Sequence, residues 1–101
     1  MKIFISQPMA NRPDGEIVKE RLQAIEQILK KYPGTIIDSI IQGQPPEGAN
    51  VPVWYLAKSI ELLATADMAV FLPDWDNARG CVIENMVCGN YGIPILYLNM
   101  P

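Results

Sequence analysis

The chain has 101 residues, half of them hydrophobic and 19% charged, with 8 basic against 11 acidic side chains and a net charge of −3. This size makes one domain with one core and no separate substrate domain, and the composition excludes an intrinsically disordered chain. No Lys/Arg cluster follows the chain, so phosphate-neutralising contact with nucleic acid is not expected, and the absence of histidine removes the commonest general base, the commonest metal ligand and every Ser-His or Cys-His nucleophile pair.

Lys2 to Ser6 is a short apolar run rich in β-formers and reads as a strand; it is too short for a signal peptide. Ser6 to Pro13 is a loop punctuated by two prolines. Asp14 is placed to cap a helix from about Gly15 to Lys31, where Ile17, Val18, Leu22, Ile25, Ile28 and Leu29 recur at helical spacing. Tyr32-Pro33-Gly34 stops it, and a second strand is expected from Thr35 to Asp38, extending to Ile40 or Ile41. Gln42 to Asn50 is a polar loop. Asn50 then caps a helix over Val53 to Thr65, with Pro52 in its first turn.

Met68 to Leu72 is wholly apolar, as in strands buried on both faces. Pro73 to Gly80 is a loop in which Asp76 or Asn77 is placed to cap a helix from about Ala78 to Asn90. Ile93 to Leu98 closes the series as a strand. The order β-α-β-α-β-α-β implies an α/β fold: one small, three-layer Rossmann/flavodoxin-like domain spanning 1–101, with about four parallel strands in the order 2-1-3-4. Ligands of such sheets bind beyond the carboxyl ends of the strands. Here those ends lead into the loops Ser6–Arg12, Asp38–Asn50 and Pro73–Gly80.

Cys81 and Cys88 are seven apart, which puts them on one side of a helix about two turns from each other, too far to bond. Reduced thiols point to the cytosol, and no apolar run reaches the ~20 residues of a membrane span.

Glu84 is the most informative residue. From Gly80 to Pro101 it is the only charged side chain. Val82, Ile83, Met86 and Val87 make one apolar face of its helix, and Cys81, Glu84 and Cys88 make the other, a face unsuited to open water. The carboxylate is therefore expected at a groove or subunit contact. Burial raises the pKa of such a group, and a nearby helix N-terminus opposes the rise. An ionised, poorly hydrated carboxylate suits attack on a sugar's anomeric carbon. Asp74 and Asp76 are the neighbouring acids, each open to a role as general acid or sugar ligand, or to loop and capping chemistry. Trp75 between them either stacks a planar ring or covers the core edge. Asn77, Arg79 and Gly80 are placed to grip a ribose or phosphate at a helix N-terminus. Arg12 is either a second anion contact or a solvated side chain.

MKIFISQPM at the N-terminus, together with WYLAKSIELLATADMAVFLPDWDNARGCVIENMVCGNYGIPIL, resembles the nucleoside 2-deoxyribosyltransferase-like superfamily, in particular its small, uncharacterised bacterial and phage branch. The resemblance implies that Glu84 is the nucleophile of a glycosyl-enzyme intermediate. It also makes Asp74 the nearest counterpart of an assisting acid, and Ser6, Gln7, Pro8 and Met9 binders of sugar or phosphate. Gln7 stands where many relatives have Gly, and Lys58-Ser59 stands where the active enzymes carry an Asp.

The expected function is N-glycosidic cleavage or transfer on a nucleoside or nucleotide, needing no metal or other cofactor. Alternatives are a catalytically idle binder with the same pocket, or an interaction domain. A homo-oligomer, most simply a dimer with its pocket near the interface, is expected: both edge strands of a four-stranded sheet are exposed in a monomer, and the tail Tyr97–Pro101 is uncharged.

Overall fold

The computed structural model describes residues 1–100; Pro101, the last residue of the uncharged tail, lies outside them. Strands β1 (Lys2–Ser6), β2 (Thr35–Ile36), β3 (Met68–Phe71) and β4 (Ile95–Tyr97) alternate with helices α1 (Asp14–Lys31), α2 (Val51–Leu63) and α3 (Arg79–Tyr91). The strands form one parallel sheet in the order β2-β1-β3-β4, so the fold class and strand order expected from the sequence hold.

Strand alternation splits the core in two. Ile3 and Ile5 of β1 with Met68 and Val70 of β3 pack on Ala24 and Ile28 of α1. Phe4, Ala69 and Phe71 face the other way, onto Leu63 of α2 and Cys88 of α3. The period of two continues to Ser6, the polar end of an otherwise apolar series, and so turns its hydroxyl toward α2 and α3. Paired with Phe71, Ser6 stands at the carboxyl edge of the sheet.

Several boundaries differ from those expected. Asp14 does not cap α1: it is the first helical residue, Pro13 holds the N-cap position, and Asp14 and Glu16 instead place negative charge in the first turn, where the helix dipole favours it. The second strand is shorter than the expected Thr35–Asp38. Ile37 still donates to the Ile3 carbonyl at 2.8 Å, but Asp38 then accepts from the Ile40 amide at 2.9 Å, a local turn that carries the chain out of the sheet. Gly34 lets this strand close on β1, because a Cβ there would lie 2.5 Å from the Met1 carbonyl oxygen.

Asn50 caps α2 as expected, accepting from the Val53 amide at 3.2 Å, but the helix starts at Val51, with Pro52 in its first turn. Neither Asp76 nor Asn77 caps α3. Trp75–Asn77 forms a 3-10 turn instead, and Ala78 is the N-cap residue, without a side-chain bond to the helix. Gly92, at φ 73°, ends α3 in the left-handed conformation open to glycine, and β4 spans only Ile95–Tyr97 of the expected Ile93–Leu98. Among the described residues no helix is long and apolar enough to cross a membrane.

Candidate functional site

The carboxyl end of β1 and the loop after it, the segment after β2, one face of α2 and the N-terminal half of α3 with the two residues before it line a cavity of about 700 Å³. Glu84 lines it and is only 7% exposed. Helical spacing puts Cys81, Glu84 and Cys88 on one stripe of α3, and this stripe faces the sheet, whereas Ile83 and Met86 are exposed. The Cys-Glu-Cys stripe is thus the inward one; of the expected apolar face, Val87 packs against the core while Ile83 and Met86 look outward. Both cysteines are free.

The Glu84 carboxylate is held from two elements. Ser6 Oγ, at the end of β1, donates to Oε1 at 2.7 Å, and Ser59 Oγ, on α2, donates to Oε2 at 2.5 Å. Burial pushes the Glu84 pKa above the ordinary carboxylate range, and the Ser59 and Ser6 hydroxyls, which stabilise the ionised form, pull against it. Burial also pushes the Cys81 thiol up. The Ser6 hydroxyl opposes that rise, and the Glu84 charge adds to it. Cys88 is pushed up to about 11 by burial and by Glu84. Neither thiol is a ready nucleophile at neutral pH.

Eight of the ten residues singled out from the sequence line the cavity: Ser6, Gln7, Pro8, Met9, Asn77, Arg79, Gly80 and Glu84. Asp74 and Trp75 do not. Asp74 sits at φ 66° in the turn after β3, exposed to solvent. Trp75 covers the core edge, edge-on to Phe71 at 5.6 Å and stacked on Tyr97 at 5.4 Å. Neither side chain lines the cavity that holds Glu84, so the geometry lends no support to Asp74 as acid or Trp75 as base platform. Arg12 is neither a cavity contact nor solvated; it pairs with Glu16 and Glu20 of α1.

Ser59 was not singled out as a functional residue. A serine inside a helix carries little signal by itself. Its spacing from Leu56 and Leu63 puts a hydroxyl on the inward stripe of α2, and that is the mark by which the sequence could have revealed it. Among the lining residues Glu84 is the one carboxylate and Arg79 the one cation. A second hollow of about 650 Å³, walled by Val51, Val53 and Ile83, shares Pro52, Leu56, Arg79 and Gly80 with the first, so the two form one trough between α2 and α3. Comparison of the chain with protein-family models, with curated proteins and with solved structures returns no match.

Proposed function

We propose that this protein cleaves or transfers the N-glycosidic bond of a nucleoside or nucleotide, with Glu84 as nucleophile. The observation that carries the reading is the Glu84 carboxylate itself, desolvated beside a cavity large enough for such a ligand and held by one hydroxyl on each oxygen. An oxygen of Glu84 bonds to the anomeric carbon as the C–N bond breaks. The base departs with the bonding electrons and takes a proton from solvent. Water or a second base then attacks the same carbon and releases the carboxylate. Ser6 and Ser59 orient the nucleophile and stabilise its charge before attack and again as it is released. Asn77, Arg79 and Gly80, at the start of α3, are suited to sugar hydroxyls or a phosphate. A homodimer belongs to this reading, because α3 turns Ile83 and Met86 outward and carries no exposed charge after Arg79, its first residue.

One observation favours a second reading, an idle nucleoside or nucleotide binder. Glu84 has no second acid in the cavity to protonate a leaving base. Incubation with a panel of nucleosides, deoxynucleosides and their monophosphates, followed by chromatography, separates the two. Release of free base supports the enzyme. A ligand-induced rise in melting temperature without base release supports the binder, since a ligand at 100 times its Kd adds about 2.7 kcal/mol.

A further inference from the structure

The loop after β1 supplies Gln7, Pro8, Met9 and Ala10 to the cavity wall, yet its fastening lies outside the cavity, on α1. The Glu20 carboxylate joins the two ends of this loop. Its Oε1 accepts from Gln7 Nε2 at 2.9 Å and from Arg12 Nη1 at 3.0 Å, and its Oε2 accepts from Arg12 Nη2 at 3.1 Å. Arg12 Nη1 also donates to the Pro8 carbonyl at 2.7 Å, inside the same loop. Gln7 Nε2 has one further partner, the Ile17 carbonyl at 2.9 Å. The other end of that amide, Oε1, is buried without a partner. The Gln7 side chain is therefore oriented from its nitrogen alone, and a flipped amide would set its oxygen against a carboxylate and a carbonyl.

The Arg12–Glu20 pair is two-pronged, and each side chain is only 20% exposed. Glu16, also bonded to Arg12, is 58% exposed and touches neither Gln7 nor Pro8. Of the two acids, Glu20 alone couples the loop's first residue to its last arginine.

We propose that Glu20 is a positioning residue for the cavity: by gripping Gln7 and Arg12 together, it fixes the wall that lies over Ser6, Cys81 and Glu84. The inference goes beyond the glycosidic reading and does not depend on it, since any occupant of the cavity meets this wall.

Cys81 reports on the wall without a substrate, because it lines the cavity beside Ser6 and is 4% exposed. In a Cys88→Ala background, the rate at which Cys81 reacts with 5,5′-dithiobis(2-nitrobenzoate) is measured alongside the unfolding constant from urea titration. Glu20→Gln is expected to speed labelling about tenfold beyond any change in that constant, the scale of one lost charge-assisted hydrogen bond. Arg12→Ala, at a half-buried position outside both core clusters, is expected to do the same. The double variant should label no faster than the faster single one, and Glu16→Gln should leave the rate within about twofold of the parent. A rise that only tracks global unfolding, additive rises in the double variant, or an equal rise in Glu16→Gln would each overturn the proposal.

Discussion

Ser6 and Glu84 stand 78 residues apart in the chain and 2.7 Å apart in the fold, the hydroxyl at the end of β1 donating to the carboxylate of α3. The contact exists because strand alternation aims Ser6 at one face of the sheet while helical spacing aims Glu84 at the same face from above. Ser59 completes it from a third element. The carboxylate is thereby held in place before any ligand arrives, which is the form of preorganisation that a charged nucleophile requires.

Replacing Glu84 tests that role directly. Glu84→Gln keeps the shape, removes the charge and leaves one oxygen to accept from a serine, while the amide nitrogen must donate to the other. Glycosidic activity is expected to fall about 10⁴–10⁶-fold with folding intact, by analogy with other lost nucleophiles. Base release within tenfold of the parent, followed by chromatography, would eliminate Glu84 as nucleophile.

The burial of Glu84 also fixes the sign of a pH effect. Its pKa is raised in the fold, so its contribution to stability is full below the ordinary carboxylate range near about 4 and is lost as pH rises through the folded value. Glu20, lowered chiefly by its bonds from Arg12 and Gln7 against an opposing cost of burial, acts in the other direction. Subtracting the parent's urea stability from that of Glu84→Gln isolates the first effect. The difference should grow with rising pH and then level off; a flat difference would contradict a desolvated Glu84.

Ser59→Ala removes one of the two hydroxyls that favour the ionised carboxylate. The acid limb of the activity profile should move to higher pH, and stability should fall by about 1–3 kcal/mol for the lost partner of a buried acceptor. An unshifted profile would show that Ser59 does not tune Glu84.

Both thiols are free and buried, Cys88 in the core and Cys81 at the cavity wall, and neither is expected to take part in the chemistry. Replacing Cys81 and Cys88 together by Ala should change stability but leave ligand affinity within a few-fold, as isothermal titration would register. A strict need for either sulfur would overturn the glycosidic reading, which has no step for it.

Light scattering at micromolar concentration should give the mass of two chains. Met86→Lys, at a position 59% exposed on the outward stripe of α3, should return the protein to one chain without unfolding it. A parent that scatters as a single chain at every concentration would remove the dimer.

The sheet order and the central place of Glu84 were legible because each rests on a strong periodic signal. One wholly apolar strand, Met68 to Leu72, demanded cover on both faces, and one charge stood alone in an otherwise uncharged C-terminal fifth. The misplaced details were local contests between short-range bonds. Asp38 turned the chain aside after Ile36, where β-propensity favoured a longer strand. The 3-10 turn at Trp75–Asn77 took the positions from which Asp76 or Asn77 would have capped α3. Trp75 found Tyr97 on the edge strand β4, a partnership between loop and strand that no short window of sequence contains. Ser59 belongs to the same class, since its importance comes from a residue 25 positions away.

Strand β1 lies inside the sheet, between β2 and β3, and its Lys2 amide bonds to Asp67, 65 residues downstream. During synthesis this strand leaves the ribosome ahead of every partner it will have. At about 5–20 residues per second, some 3–13 s separate the appearance of Lys2 from that of Asp67. For most of that interval Ile3, Phe4 and Ile5 have only α1 and the two-residue β2 to shelter them, until α2 follows shortly before β3. The N-terminal apolar run is therefore the segment of the nascent chain most open to chaperone capture, and β3 is the element whose emergence ends the exposure.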